Sequence, residues 1–273
     1  MVPSKRETPR IGILRWDTGT DREPAMTSIH QYPQSGADRA DRIRRIGLAL
    51  ALFIAPWGLF FANLGYAWAT RDGGSDETGE QALALAAAHP QLAAAATLAA
   101  MIGSLLMVPA ALGTVRLIGT RAARLALVGG VLVAAGYICY LSMVTTGFTE
   151  LAMVERGGPV ADYAAVLDAS QSSAWTAWMF LLFVLGNLVG TFLLGLALLR
   201  SHAVPAWAAA AVMAWPPLHI TGLIVGSEWF EVTGAALQGI GFAVVGVYLL
   251  RTAASTPPTV TAPAVARAGA GRR

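Results

Sequence analysis

Apolar residues along this chain come in long runs separated by short polar connections. The runs show neither the two-residue alternation of a half-buried strand nor the narrow stripe of a soluble amphipathic helix. A helix that crosses the hydrocarbon core of a bilayer needs about 20 predominantly apolar residues. Six segments meet that length, at residues 46–70, 91–115, 125–148, 174–199, 203–226 and 229–250. The expected fold class is all-α: a polytopic membrane helix bundle of six transmembrane helices filling residues 46–250. The polar residues 1–45 read as a disordered basic and acidic leader, and residues 251–273, rich in Pro, Ala and Thr, as a disordered tail.

The connections carry a pattern of their own. Between spans one and two, RDGGSDETGEQALALAAAHP places a Gly and Asp turn before an alanine-rich helix that Pro90 ends. Between spans three and four, ERGGPVADYAAVLDASQSS repeats the scheme, with a helix opening at Pro159 and Val160, Tyr163, Val166 and Leu167 on one face. Two short helices lying on the outer face are therefore expected. Identity between the two hairpins is too low to make them an internal repeat.

Composition agrees with a membrane protein: 55% of the 273 residues are hydrophobic and 13% are charged. The single cysteine, Cys139, falls within span three and excludes a disulfide framework or a cysteine metal cluster. The leader does not read as a cleavable signal, whose apolar stretch would lie near the N-terminus. Met26 is an alternative start.

Charge sets an orientation. With the N-terminus inside, 17 of the 19 basic residues fall on the cytoplasmic side and only Arg71 and Arg156 outside. Ten of the 16 acids, from Asp72 to Glu231, fall on the outer side. Both termini are thus expected to be cytoplasmic, in a multi-pass protein of a bacterial plasma membrane. Trp68, Trp175, Trp178 and Trp229 at outer span ends and Trp207 at an inner one fit interfacial anchoring, while Trp57 and Trp215 lie deep. The basic rim faces the lipid bilayer or an unknown membrane or cytoplasmic protein partner, and needs no nucleic acid to explain it.

Glycines mark expected tight contacts: Gly186 and Gly190 in span four, with Gly58, Gly65, Gly129, Gly136, Gly241 and Gly246 on other spans. The stretches LLMVPAALGTVRLIGTRAARLALVGGVL (105–132) and LLRSHAVPAW (198–207) resemble the spans and short inner loops of an uncharacterised actinobacterial six-span integral membrane protein family. The resemblance implies the fold and carries no activity with it.

Polar side chains inside spans are costly and mark functional candidates. Counting about 1.5 Å per residue, His219 in span five, Asn63 in span one, Tyr140 in span three and Gln238 in span six fall in the outer half, with Asn187 nearer the middle of span four. Glu228, Glu231 and Glu150 lie just above. The expectation is a polar pocket opening outward, floored by His219 and rimmed by the glutamates. Pro216 and Pro217 withhold two backbone donors and free carbonyls around Val212 and Met213. Such breaks accompany ligand sites but serve equally as packing devices. His219 is then either a proton or ligand group, imidazole being the side chain suited to sensing physiological pH, or a satisfied interior residue bonded to Asn63, Gln238 or a freed carbonyl.

Other chemistries find no support. The four histidines share no intramembrane depth, so a bis-histidine haem is not expected. Metalloprotease, serine-nucleophile and phosphate-loop motifs are absent, and Lys5 is the one lysine. No cofactor, metal or catalytic residue is expected. Two function classes remain: a structural, interaction or sensory membrane subunit, and a small-solute or proton-coupled carrier. The lack of a deep intramembrane acid favours the first.

Overall fold

In the computed structural model, which describes residues 36–252, the first helix starts ahead of its apolar run. Asp41 pairs with Arg44 and Arg45, three and four residues on, which are neighbours on a helix surface. Arg116 reaches the same carboxylate at 2.6 Å from a second helix. The stretch 36–45, expected within the leader, therefore continues as helix, giving α1 (Gly36–Thr70). Residues 1–35 of the expected leader, with Met26, and the tail from 253 lie outside the described residues.

All elements among the described residues are helical: α2 (Gly79–Ala88), α3 (Pro90–Ile118), α4 (Ala123–Val144), α5 (Thr146–Arg156), α6 (Val160–Gln171) and α7 (Ala174–Val184) come first. A six-residue π turn (Leu185–Gly190) then leads into α8 (Thr191–Ser201), followed by α9 (Ala206–Met213), α10 (Trp215–Val225) and α11 (Trp229–Arg251). Six helical stretches are long and apolar enough to cross a membrane: 39–70, 90–118, 123–156, 174–201, 206–225 and 229–251. This is the architecture of a multi-pass membrane protein, and its spans agree with the expected ones to within a turn or two except where α1 and α5 prolong them.

The short connections are more helical than expected. Thr78 caps α2 in a reciprocal capping box with Gln81, and Pro90 opens α3 where its missing N–H costs nothing. Span three continues past a break at Thr145 into α5, a short helix that the pattern does not separate. There the hydroxyls of Thr145 and Thr146 bond the carbonyls of Ser142 and Met143, which competes with the helical ladder. In α6 the buried residues are Ala164 and Leu167. Val160 and Val166, expected on the packed face, are 52% and 59% exposed, because the small face of α6 is the one that fits against α2. Leu83, Ala164 and Leu167, with Met153, Val154 and Tyr163, form a separate small core that joins α2, α5 and α6 into a cap on one end of the bundle.

Within the bundle, α1 packs on α3 and α11, and α4 on α3, α7, the π turn and α8. Leu52, Met107, Leu194, Leu198, Phe242 and Val245 are almost wholly buried between them. Apolar burial drives little in lipid, so close contact rests on small residues. A Cβ on Gly58 would lie 2.8 Å from the Ala99 carbonyl, and one on Gly136 would lie 2.8 Å from Cα of Gly186. Leu127, Val131 and Ile138 of α4 point outward, 61%, 58% and 58% exposed.

Candidate functional site

The site begins at the break in span five. Pro216 and Pro217 have no N–H, so the carbonyls of Val212 and Met213 receive no donor one turn on, and the helix divides into α9 and α10 at Ala214. Pro56 and Pro109 sit inside uninterrupted helices, so the paired prolines, and not proline as such, make the division. Trp215, the first residue of α10, is 5% exposed.

Its indole has two contacts. Nε1–H donates to Oδ1 of Asn187 at 2.9 Å, and the ring stacks on the His219 imidazole with centroids 5.3 Å apart and planes inclined by 28°. Asn187 lies in the π turn and accepts a second hydrogen bond on the same oxygen, from the hydroxyl of Tyr137 at 2.8 Å. Asn187 and Tyr137 are 4% and 2% exposed. A π turn holds one residue more per turn than an α-helix and recurs at functional positions. Here it brings Asn187 between α4 and α10. It is seated by glycine: a Cβ on Gly190 would lie 2.9 Å from the backbone nitrogen of Val133.

His219 lies one turn beyond Trp215, toward the cap. Its Nδ1 is 2.9 Å from Oε1 of Glu231, with 22% and 12% of the two side chains exposed. The contact is close but unaligned, since Nδ1 makes no hydrogen bond of acceptable angle. It is therefore a Coulombic pair, attractive when the imidazole carries its second proton. Glu231 comes from the first turn of α11, and Glu228 from the connection just before it. Burial, with Glu231 and Asp76 nearby, pushes the Glu228 carboxyl above the ordinary glutamate range, and His219 opposes that shift. Asp76 in turn accepts from the Tyr66 hydroxyl at 2.6 Å.

The expected pocket is thus brought together in part. His219, Glu231 and Glu228 converge. The partner of His219 is Glu231, and neither Asn63 nor Gln238 takes that place. Asn63 is half-buried on α1, outside the hydrogen-bond network. Gln238 is 1% exposed, its amide nitrogen has no partner, and it lies about two turns along α11 from Glu231. Tyr140 stacks on Phe183 at 4.2 Å in an aromatic group with Tyr137. Glu150 belongs to a neighbouring cavity of about 190 Å³ beneath α2, lined also by Tyr66, Asp76, His89 and Thr97. Of the residues that hold the site together, Tyr137 and Trp215 stand outside the expected pocket, and Asn187, counted among the polar residues within the spans, is expected below it, nearer the middle of span four. The paired prolines beside a deep tryptophan are the sequence signal that points to one of them.

Among the described residues, no group of three or more His, Cys, Asp or Glu is arranged to hold a metal ion. The chain matches no family model, no curated protein and no solved structure. The chemistry of the site therefore rests on its own geometry.

Proposed function

We propose that this multi-pass membrane protein is a proton-responsive sensory subunit, with the His219–Glu231 pair as its sensing element. The observation that carries the reading is the 2.9 Å approach of Nδ1 to Oε1 between two largely buried side chains. Protonation turns that contact into an ion pair of low exposure, where charge is weakly screened. The charged groups that act on His219 are Glu231 on α11 and Glu228 before it, and these two carboxylates are in turn felt by Asp76 after α1 and by the phenol of Tyr66, with Tyr140 near Glu231. The distribution of basic residues supports cytoplasmic termini in a bacterial plasma membrane. The pair then faces the outer side, and the basic end meets anionic lipid or a protein partner.

A carrier needs polar groups that continue through the bundle. The buried hydroxyls farther along are spent on their own helices: Ser104 bonds the Ala100 carbonyl at 2.6 Å and Thr114 that of Ala110 at 2.9 Å. This favours a sensor over a carrier.

Thermal unfolding in lipid nanodiscs across a pH series tests the reading. His219→Gln and Glu231→Gln are each expected to remove the same pH-dependent part of the stability. An unchanged pH dependence in either variant, or proton flux in proteoliposomes abolished by His219→Gln, overturns it.

A further inference from the structure

We infer that the π turn at Leu185–Gly190 is the element that receives the state of the His219–Glu231 pair, with Trp215 as the positioning residue between them. The inference rests on the sensing role of that pair, but it has its own physical chain and its own test.

Trp215 touches both ends of that chain. One face of its ring lies against His219, and an indole binds a cationic imidazolium more strongly than a neutral imidazole. The edge of the same ring is the donor to Asn187. A rigid bicyclic ring cannot follow His219 at its face without moving the N–H at its edge. Nor is Trp215 locked by the helix around it, because the two prolines after it leave the preceding carbonyls of Val212 and Met213 without ladder bonds. Helical bonding resumes with the Leu218 N–H to Ala214. Trp215 therefore sits where span five can hinge.

Asn187 is a hub with two buried donors on one oxygen, Trp215 from α10 and Tyr137 from α4. Breaking either bond leaves a buried donor without an acceptor, so the hub favours one arrangement strongly. The π turn has a second arrangement available. Drawn back to α-helical register, it would rotate α8 relative to α7 by about 100°, the turn of one residue. Gly129 and Gly136 of α4 face Gly186 and Gly190 of the turn with backbone close on both sides, beside Leu132, Val133 and Leu193, so few side chains stand in the way of a shift there. The bonds to Asn187 are what hold the π form. At its far end, α8 finishes at Ser201, whose carbonyl accepts from Arg121 in the α3–α4 turn at 3.3 Å. A change in the π turn thus reaches the opposite end of the bundle.

Hydrogen exchange of the full chain in nanodiscs at a single pH tests the coupling. Trp215→Phe keeps the ring and removes the N–H. Together with His219→Gln, it is expected to speed exchange in residues 185–191 about tenfold, with α1 and α3 unchanged. Wild-type exchange in that segment in either variant overturns the inference. If Trp215→Phe does not fold, the wild-type indole N–H resonance of Trp215 supplies the second measurement. Its exchange is expected to rise about tenfold in His219→Gln, and an unchanged rate overturns the coupling. All arms run at one pH, so failure of the sensing role appears in the unfolding comparison above and failure of the relay appears here.

Discussion

The two ends of this bundle treat their buried polar side chains differently. Away from the cap, Ser104 and Thr114 return their hydroxyls to carbonyls of their own helices, and Asp41 is held by Arg44, Arg45 and Arg116. The two buried hydroxyls there are satisfied within their own helices, and the contact that crosses between helices is the half-exposed ion pair of Arg116 on α3 with Asp41 on α1. Toward the cap, polar groups pair between elements: Tyr137 and Trp215 with Asn187, His219 with Glu231, Tyr66 with Asp76. One buried amide nitrogen, on Gln238, is left without a partner. A polar group bonded within its helix adds stability to one element, whereas one paired across helices makes the arrangement of several elements depend on its chemical state.

The comparison can be broken most severely at the glycine seat between the two ends. Gly186→Val would drive a side chain into the Leu132 carbonyl and Cα of Gly136, which are backbone and cannot yield. A loss of about 3 kcal/mol or more is expected, read as reduced folded yield and a lower melting temperature in detergent. Asn187→Leu should cost about 2 kcal/mol, because two buried donors lose their acceptor together. Ser104→Ala, by contrast, should cost well under 1 kcal/mol, since its hydroxyl only supplements an existing helix. Equal costs in chemical unfolding would erase the distinction between the two ends.

A pH series sharpens the comparison. The Glu228 carboxyl is raised by burial and by Glu231 and Asp76, so the folded chain holds that proton more tightly than the unfolded one. Its contribution is complete below the ordinary value of 4.5 and is lost as pH rises through the raised value. Glu228→Gln should flatten this decline, and an unaltered stability–pH curve would show that Glu228 is not under that load. The smallest effect is expected at Gly47, where an added Cβ meets nothing within 4 Å. Gly47→Ala should stabilise α1 by about 0.5–1 kcal/mol, measured as a small rise in melting temperature.

Much of this organisation is legible in the order of residues alone. The spans follow from length and hydropathy because a bilayer leaves helices almost no alternative. Pro90 and Pro159 mark the flanks of α2 and α6 because proline acts on the backbone at its own position. The pairing of His219 with Glu231 is only partly legible, since depth counting places residues at a level but not around a helix axis. Asn63 and Gln238 share the right half of the membrane and face elsewhere. The π turn leaves no trace in the sequence. Its extra residue per turn keeps LGNLVG as apolar as any α-helical stretch, and the turn is set by contacts from α4 and α10 that no local pattern encodes. Glu150 falls in a different group from the one its depth suggests for a related reason, because α5 departs from span three at Thr145 and carries it under α2.

The cap has a consequence for how the chain is made. The backbone N–H of Gly79 donates to Oδ1 of Asp168 at 2.7 Å, and Gly79 itself is pressed against Ala164. The two halves of this joint are separated along the chain by the whole of α3 and α4. During synthesis the first half waits, unpaired, until the second has left the ribosome and the intervening hairpin has entered the bilayer. The cap is therefore a record of assembly order: it closes only over a correctly inserted second and third span.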